Sequence, residues 1–232
     1  MVGISIKNVQ NNKYFLISPY AYCANNFINA LDPTGMDIWE INNEGRIINR
    51  IKDRTQDAFF MVALNENGEY QRTFTIDKEG NKQYNNIIFN YGTIESQNSI
   101  SYYNQKQNKK DTYDEYKIRG DTNGKSLFNV TGSSSQVEIG LAQTGIPGDK
   151  GLNFITTGHI KGKEPGGSYL MSGRLYYNYT IRSIIHSHPI SKYASPNDIG
   201  FKDEVNRVLQ QYQLPIPQYQ IFHVPSKRYI NF

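Results

Sequence analysis

Metal-binding side chains are scarce in this 232-residue chain: four histidines and one cysteine, Cys23. A single cysteine excludes an intrachain disulfide and a cysteine-based zinc site. No stretch approaches the roughly twenty apolar residues of a membrane-spanning helix, so no membrane span is expected. The N-terminal sequence MVGISIKNVQNNKYF has no basic region followed by an apolar run, so it does not read as a classical signal peptide. Strong charge is missing too. A net charge of +4 and a pI near 8.9 allow weak attraction to acidic partners but fall far short of a nucleic-acid-binding surface. No nucleic-acid partner is therefore expected, and the run QKQNKK (Gln105–Lys110) reads as a solvated loop.

Aromatic residues, by contrast, are plentiful at 13%, with 18 Tyr and 11 Phe. Disordered chains are poor in aromatics, so this one is expected to fold despite a mean hydropathy of −0.63. Residues 37–110 carry short β-like runs, GRIINRI, AFFMVAL, YQRTFTI and NNIIFNYG, separated by turns in which Gly45, Gly68 and Gly80 suit positive φ. They predict an antiparallel meander. From Asp111 to Phe232 the pattern becomes mixed α and β. QVEIGLAQ, NFITTGHI and TIRSIIHSHP read as strands, and KSLFNVTGSSSQ as a short helix or irregular segment. SPNDIGFKDEVNRVLQQYQ reads as an amphipathic helix with Phe201, Val205, Val208, Leu209 and Tyr212 on one face. QYQIFHV and RYINF read as a closing hairpin. The fold class expected is α+β, a mixed sheet with flanking helices preceded by the β-rich segment.

The chemistry concentrates in IIHSHPISKYASPND, Ile184–Asp198. On a strand, residues two apart share a face, so His186 and His188 present two imidazoles side by side. Pro189 ends the strand, since it cannot donate to the ladder. A helix beginning at Ser195 then brings Asp198 in its first turn toward the strand terminus. Two histidines and an aspartate, with a fourth position left for water, form the donor set of a catalytic zinc site. Ser195-Pro196-Asn197-Asp198 also suits a plain helix start, with Ser195 as N-cap and Asp198 at N3; capping and ligation are compatible. His223, alternating with apolar residues, reads as a hydrogen-bonded histidine outside the site. His159 ends a strand and is a minor candidate for the cleft. Trp39 and Cys23 read as packing residues.

Two resemblances follow from these residues. SPYAYCANNFINALDPTGM, within residues 1–36, resembles the C-terminal end of an Rhs core, departing from it at Phe27 where proline is usual. That resemblance implies a core remnant followed by a variable effector. HSHPISKYASPND resembles the JAMM motif of the JAB/MPN metalloproteases, with a His188–Ser195 loop one residue shorter than the family spacing. Together they imply a JAB-like toxin of the polymorphic-toxin type. The expected parts are the remnant (1–36), a β-rich region (37–110) and a JAB/MPN-like metallopeptidase domain (111–232).

The JAMM resemblance further implies a Zn2+ cofactor held by His186, His188 and Asp198. It implies an upstream glutamate as general acid/base, for which Glu138 in QVEIGLAQ is the candidate and Glu164 in GKEPGG the fallback. Ser195 would hydrogen-bond the oxyanion. The implied function is amide hydrolysis by a zinc peptidase or isopeptidase effector, with a protein or peptide substrate and a cognate immunity protein. The chain would be delivered without a classical signal peptide and stay cytoplasmic in the producing cell before export. The alternatives from other classes are a metal-dependent nuclease toxin and a JAB fold that binds without catalysis.

Overall fold

The computed structural model describes residues 37–104 and 108–232; the Rhs-like segment 1–36 lies outside the described residues. Strands β1 (Asp37–Ile41), β2 (Ile47–Lys52), β3 (Gln56–Leu64), β4 (Tyr70–Arg72), β5 (Phe74–Ile76), β6 (Lys82–Tyr84) and β7 (Asn86–Asn90) come first. Gly45, Gly68 and Gly80 take positive φ at the turns, as their sequence setting predicts. Pairing is antiparallel except between β1 and β3, which run parallel with Trp39 beside Phe59. YQRTFTI divides into β4 and β5, which belong to different sheets.

A long hairpin follows, β8 (Ile94–Asn104) and β9 (Lys109–Arg119). Lys109 and Lys110, expected in a loop, start β9, whereas 105–107 lie outside the described residues. Then come helix α1 (Asp121–Ser134), β10 (Gly140–Thr144) and β11 (Leu152–Thr157). Helix α2 (Pro165–Leu170) continues through a π-turn (Met171–Leu175) into α3 (Tyr176–Asn178). The chain closes with β12 (Ile181–His188), α4 (Pro196–Gln211), β13 (Gln218–His223) and β14 (Arg228–Asn231). The main sheet has seven strands in the order β14-β13-β12-β10-β11-β9-β8. The β12–β13 pair is parallel; its other neighbours are antiparallel. This is an α+β fold with a mixed sheet.

Alternation along the strands sorts side chains onto two faces. Ile139, Leu141, Ile155, Ile185 and Phe222 point to one, where they pack on Leu127 and Phe128 of α1 and on Trp39 and Phe59 of the first sheet. Trp39 stacks on Phe59 at 4.9 Å, and Phe59 meets Tyr116 edge-on at 5.1 Å, geometries that suit the ring quadrupole. Ala142, Phe154 and Tyr219 point to the other face, against Leu170, Met171, Val205 and Leu209 of α2, the π-turn and α4. Burial of Val205 or Leu209 contributes roughly 1.5–3 kcal/mol each. Covered on both sides, β10 and β11 are buried along their whole lengths.

Two glycines explain α1, whose sequence left helix and irregular chain equally open. Gly124 and Gly132 turn toward the sheet, where a Cβ would lie 2.6 Å from Asn153 and 3.2 Å from Ser187. Close approach of helix to sheet compensates for their poor helix propensity. In α4, Val205 and Leu209 are buried, and Phe201 and Val208 partly so. Tyr212 instead leaves the apolar face as the helix ends, and is 51% exposed.

Candidate metal centre

Gly140, Ala142, Ile184 and His186 share the α4 face of the sheet. Gly140 pairs with His186 and Ala142 with Ile184. By the same alternation His188, at the end of β12, also points there. Glu138 lies just before β10 rather than on it, so it departs from the strand position that its sequence suggests. Its place is nonetheless fixed by its neighbours: Val137 and Ile139, each 1% exposed, are buried in the core on the opposite face. Ile139 is bound to β12 by two hydrogen bonds. Its N–H donates to Ser187 Oγ at 2.9 Å, and its carbonyl accepts from the Ser187 amide at 2.9 Å. Ser187, between the two histidines and facing the other way, therefore locks Glu138 into register with them. Sequence reading gave Ser187 no role.

The side chains of Glu138, His186 and His188 converge, with one ligand atom from each lying within 4.8 Å of the others. The two Nε2 atoms are 2.8 Å apart. Asp198 approaches from α4, with Oδ1 3.2 Å from His186 Nε2 and Oδ2 3.5 Å from His188 Nε2. The structure thus brings four of the five expected residues into one cluster, with the histidines common to a Glu-His-His set and a His-His-Asp set. Ser195, the fifth, is the N-cap of α4. Its Oγ accepts from the Asp198 amide at 3.2 Å, while its own amide donates to Asp198 Oδ2 at 2.6 Å, a reciprocal capping box. Cap and cluster coexist in Asp198, whose two oxygens both face a histidine while one also serves the cap.

Electrostatics follow from this packing. Burial acts to raise the Asp198 carboxyl, but hydrogen bonds from His186 and His188 outweigh it and hold the group well below the usual carboxylate range. For Glu138 burial dominates and raises the carboxyl, with the histidines opposing and Asp198 adding to the rise. Burial acts to lower His188, but hydrogen bonding to Asp198 and the charges of Glu138 and Asp198 raise it overall.

The tautomer of His188 tests whether a cation fits. Its Nδ1 lies 3.1 Å from the Ser191 carbonyl, which can only accept, so Nδ1 carries the proton. In the neutral ring the Nε2 lone pair then faces His186 Nε2 and the Asp198 carboxylate. A lone pair turned toward a carboxylate and a second imidazole calls for a positive charge between them, which either a proton shared with Asp198 or a bound cation supplies. Nitrogen and oxygen donors of this kind, with the far imidazole nitrogen tied to a carbonyl, are what a zinc ion takes.

The shortened loop, residues 189–194, is held by two histidines. Besides Ser191 O on His188, the Ile190 carbonyl accepts from His223 Nε2 at 3.1 Å, and His223 Nδ1 accepts from Ser226 Oγ at 2.8 Å. His223 pairs with His188 in the parallel β12–β13 ladder. It is a hydrogen-bonded histidine outside the donor cluster, yet it positions the loop that leads to Ser195. No local signal marks that role, because the two strands meet only through a long connection.

His159 stands apart from the cluster. Its Nδ1 meets the Glu44 carbonyl at 2.9 Å and its Nε2 meets Asp114 at 3.2 Å, tying the β1–β2 turn to β9. Glu164, in the loop before α2, is the N-cap of that helix. It accepts from the Gly158 and Gly167 amides at 2.8 and 3.1 Å, and burial, against those bonds, pushes its carboxyl up to about 7. A cavity of about 1030 Å³ opens over the donor cluster, floored by apolar residues of α2, the π-turn, β12 and α4.

A pair of histidines, His188 buried and His186 half-buried, flanked by two carboxylates on a mixed sheet and open to a large cleft, defines a candidate hydrolase centre. Residues 116–207, from β9 into α4, match the family described as JAB-like toxin 1. The match spans Glu138, His186, His188, Ser195 and Asp198, and it supports a JAB-like toxin domain over that segment. No curated protein and no solved structure matches the chain significantly.

Proposed function

We propose that the chain is a zinc-dependent peptidase or isopeptidase effector that hydrolyses an amide bond with metal-activated water. His186, His188 and Asp198 would hold the ion, Glu138 would be the general acid/base and Ser195 an oxyanion donor. The observation carrying this reading is the convergence of both Nε2 atoms on Asp198, with Glu138 beside them. Zinc, when bound, supplies a Lewis acid and a water acidified toward neutral pH.

The protein's own groups divide the remaining work. The Ser191 carbonyl keeps the His188 Nε2 lone pair turned inward. Glu138, whose carboxyl is raised by burial, would accept a proton and return it to the leaving amine. Ser195 Oγ uses a lone pair on the Asp198 amide, which leaves its O–H free to donate to a developing oxyanion. The similarity to JAB-like toxins supports a delivered effector with a cognate immunity protein. In this reading residues 1–36 are the Rhs-core remnant, 37–110 a β-rich accessory region and 111–232 the metallopeptidase domain.

The test is metal content and cleavage of a labelled random peptide mixture by wild type and His186→Ala. Wild type should retain close to one zinc per chain and cut peptide bonds, and the variant should do neither. Equal zinc in the two proteins overturns the metal assignment. Zinc-loaded wild type that degrades plasmid DNA but no peptide overturns the peptidase in favour of a nuclease.

A further inference from the structure

The walls of the cleft carry information about its occupant. Its volume of about 1030 Å³ is at the top of the roughly 300–1,000 Å³ that small-molecule sites occupy, and it suits several residues of a polypeptide. The charges in its lining are unevenly committed. Glu138 and Asp198 face the histidines, and Glu164 is held by two backbone amides. The remaining charged residues of the lining are Lys161 and Lys163. Both are exposed on the tight turn closed by the Ile160–Lys163 bridge, where Gly162 takes φ 68°. Neither lysine has an ion-pair partner among the described residues. The uncommitted charge facing the cleft is therefore entirely positive.

The loop between Pro189 and Ser195 adds an apolar lip. Ile190 is 88% exposed and Tyr193 71% exposed, and both line the cavity. These side chains stand on a loop fixed through the Ile190 and Ser191 carbonyls, so their exposure is built in. A rigid apolar lip binds without an ordering cost at the moment of contact. Deeper in, Leu170, Met171, Ile184 and Phe201 form an apolar floor.

We infer that the cleft selects an acidic polypeptide segment, seating an apolar side chain against Ile190, Tyr193 and the floor while its carboxylates meet Lys161 and Lys163. This deepens the proposed function and rests on its reading of the cleft as the substrate site.

Binding is measured in the full chain carrying Glu138→Gln, so that turnover does not intervene. Three labelled peptides share leucine and glycine positions and carry Glu, Gln or Lys between them; fluorescence anisotropy reads affinity. The Glu peptide should bind at least about fivefold more tightly than the Gln peptide at physiological ionic strength, as expected of a few partly exposed ion pairs. Lys161→Glu with Lys163→Glu should abolish or reverse that preference. Lys52→Glu with Lys78→Glu, an equal change of net charge at exposed positions outside the cleft lining, should leave it intact. Equal binding of Glu and Gln peptides, preference for the Lys peptide, or equal loss in both lysine pairs overturns the inference. Cleavage is read separately with Glu138 restored: a charge preference without cleavage sinks the peptidase and leaves the acidic-segment site standing.

Discussion

Removal of one oxygen, by Ser187→Ala, tests how the centre is held together. Ser187 is fully buried, and its Oγ is the acceptor for the Ile139 amide at 2.9 Å. Alanine keeps the backbone and nearly the shape, so the change isolates the hydrogen bond. The Ile139 N–H is left without a partner in a region sealed by Val137 and Ile139 themselves, and an unsatisfied buried donor costs about 1–3 kcal/mol. With a urea m-value of about 2 kcal/mol/M, the unfolding midpoint should fall by roughly 0.5–1.5 M. Ser183→Ala on the same strand is the control. Ser183 is also buried, but its Oγ reaches Gln143 only at 3.4 Å, a long contact expected to be worth less than about 0.5 kcal/mol. Because Ile139 is next to Glu138, the Ser187 variant should also lose peptide cleavage while Ser183→Ala keeps it. Equal midpoint shifts in the two variants would refute the idea that Ser187 sets the register of Glu138.

Glu138→Gln should lower peptide hydrolysis by about 10²–10⁴-fold, the range for loss of a general base, with zinc content unchanged; full activity would sink the assignment. Gly124→Ala should destabilise by roughly 1–3 kcal/mol in thermal or urea unfolding, despite alanine's better helix propensity. The added Cβ would meet Asn153, a buried side chain that cannot yield because it donates to the Gly120 carbonyl at 2.9 Å; a neutral or stabilising result would contradict this packing. Asp57 offers a pH signature. Burial pushes its carboxyl up to about 6, against amide hydrogen bonds led by Ile94. The folded protein then binds this proton more tightly than the unfolded chain, so the stabilisation is full below about pH 4 and is lost as pH rises through 6. The difference in unfolding free energy between wild type and Asp57→Asn should fall across that window by about 1–3 kcal/mol; a flat difference would show that the carboxyl titrates normally.

Local grammar made part of this architecture legible in the sequence. The strand ending in His-Ser-His-Pro, the Ser195 cap and the closing hairpin are written in period-two alternation, proline placement and capping residues, which act over a few positions. Helix α1 was ambiguous because Gly124 and Gly132 look like breakers until the sheet beneath them is known. The β8–β9 hairpin was missed because its strands are so polar. β9 buries Asp114 and Glu115, where a sequence reader expects solvated charge. His223 could not be linked to the loop before Ser195 because that contact depends on a parallel pairing across α4. Glu138 was found by the resemblance, but the reason it stays in place, the bond pair between Ile139 and Ser187, belongs to tertiary structure alone.

The tripeptide His186-Ser187-His188 at the end of β12 has a consequence for folding. His186 and His188 look into the cleft while Ser187 looks into the core, so a slip of β12 by one residue would exchange the two environments. Two imidazoles would enter an apolar layer and a lone hydroxyl would face the cleft. Such a chain would lose its donor cluster and its stability in the same step. Mispaired molecules should therefore be silent as well as short-lived, and activity per milligram should report directly on the fraction of correctly paired protein.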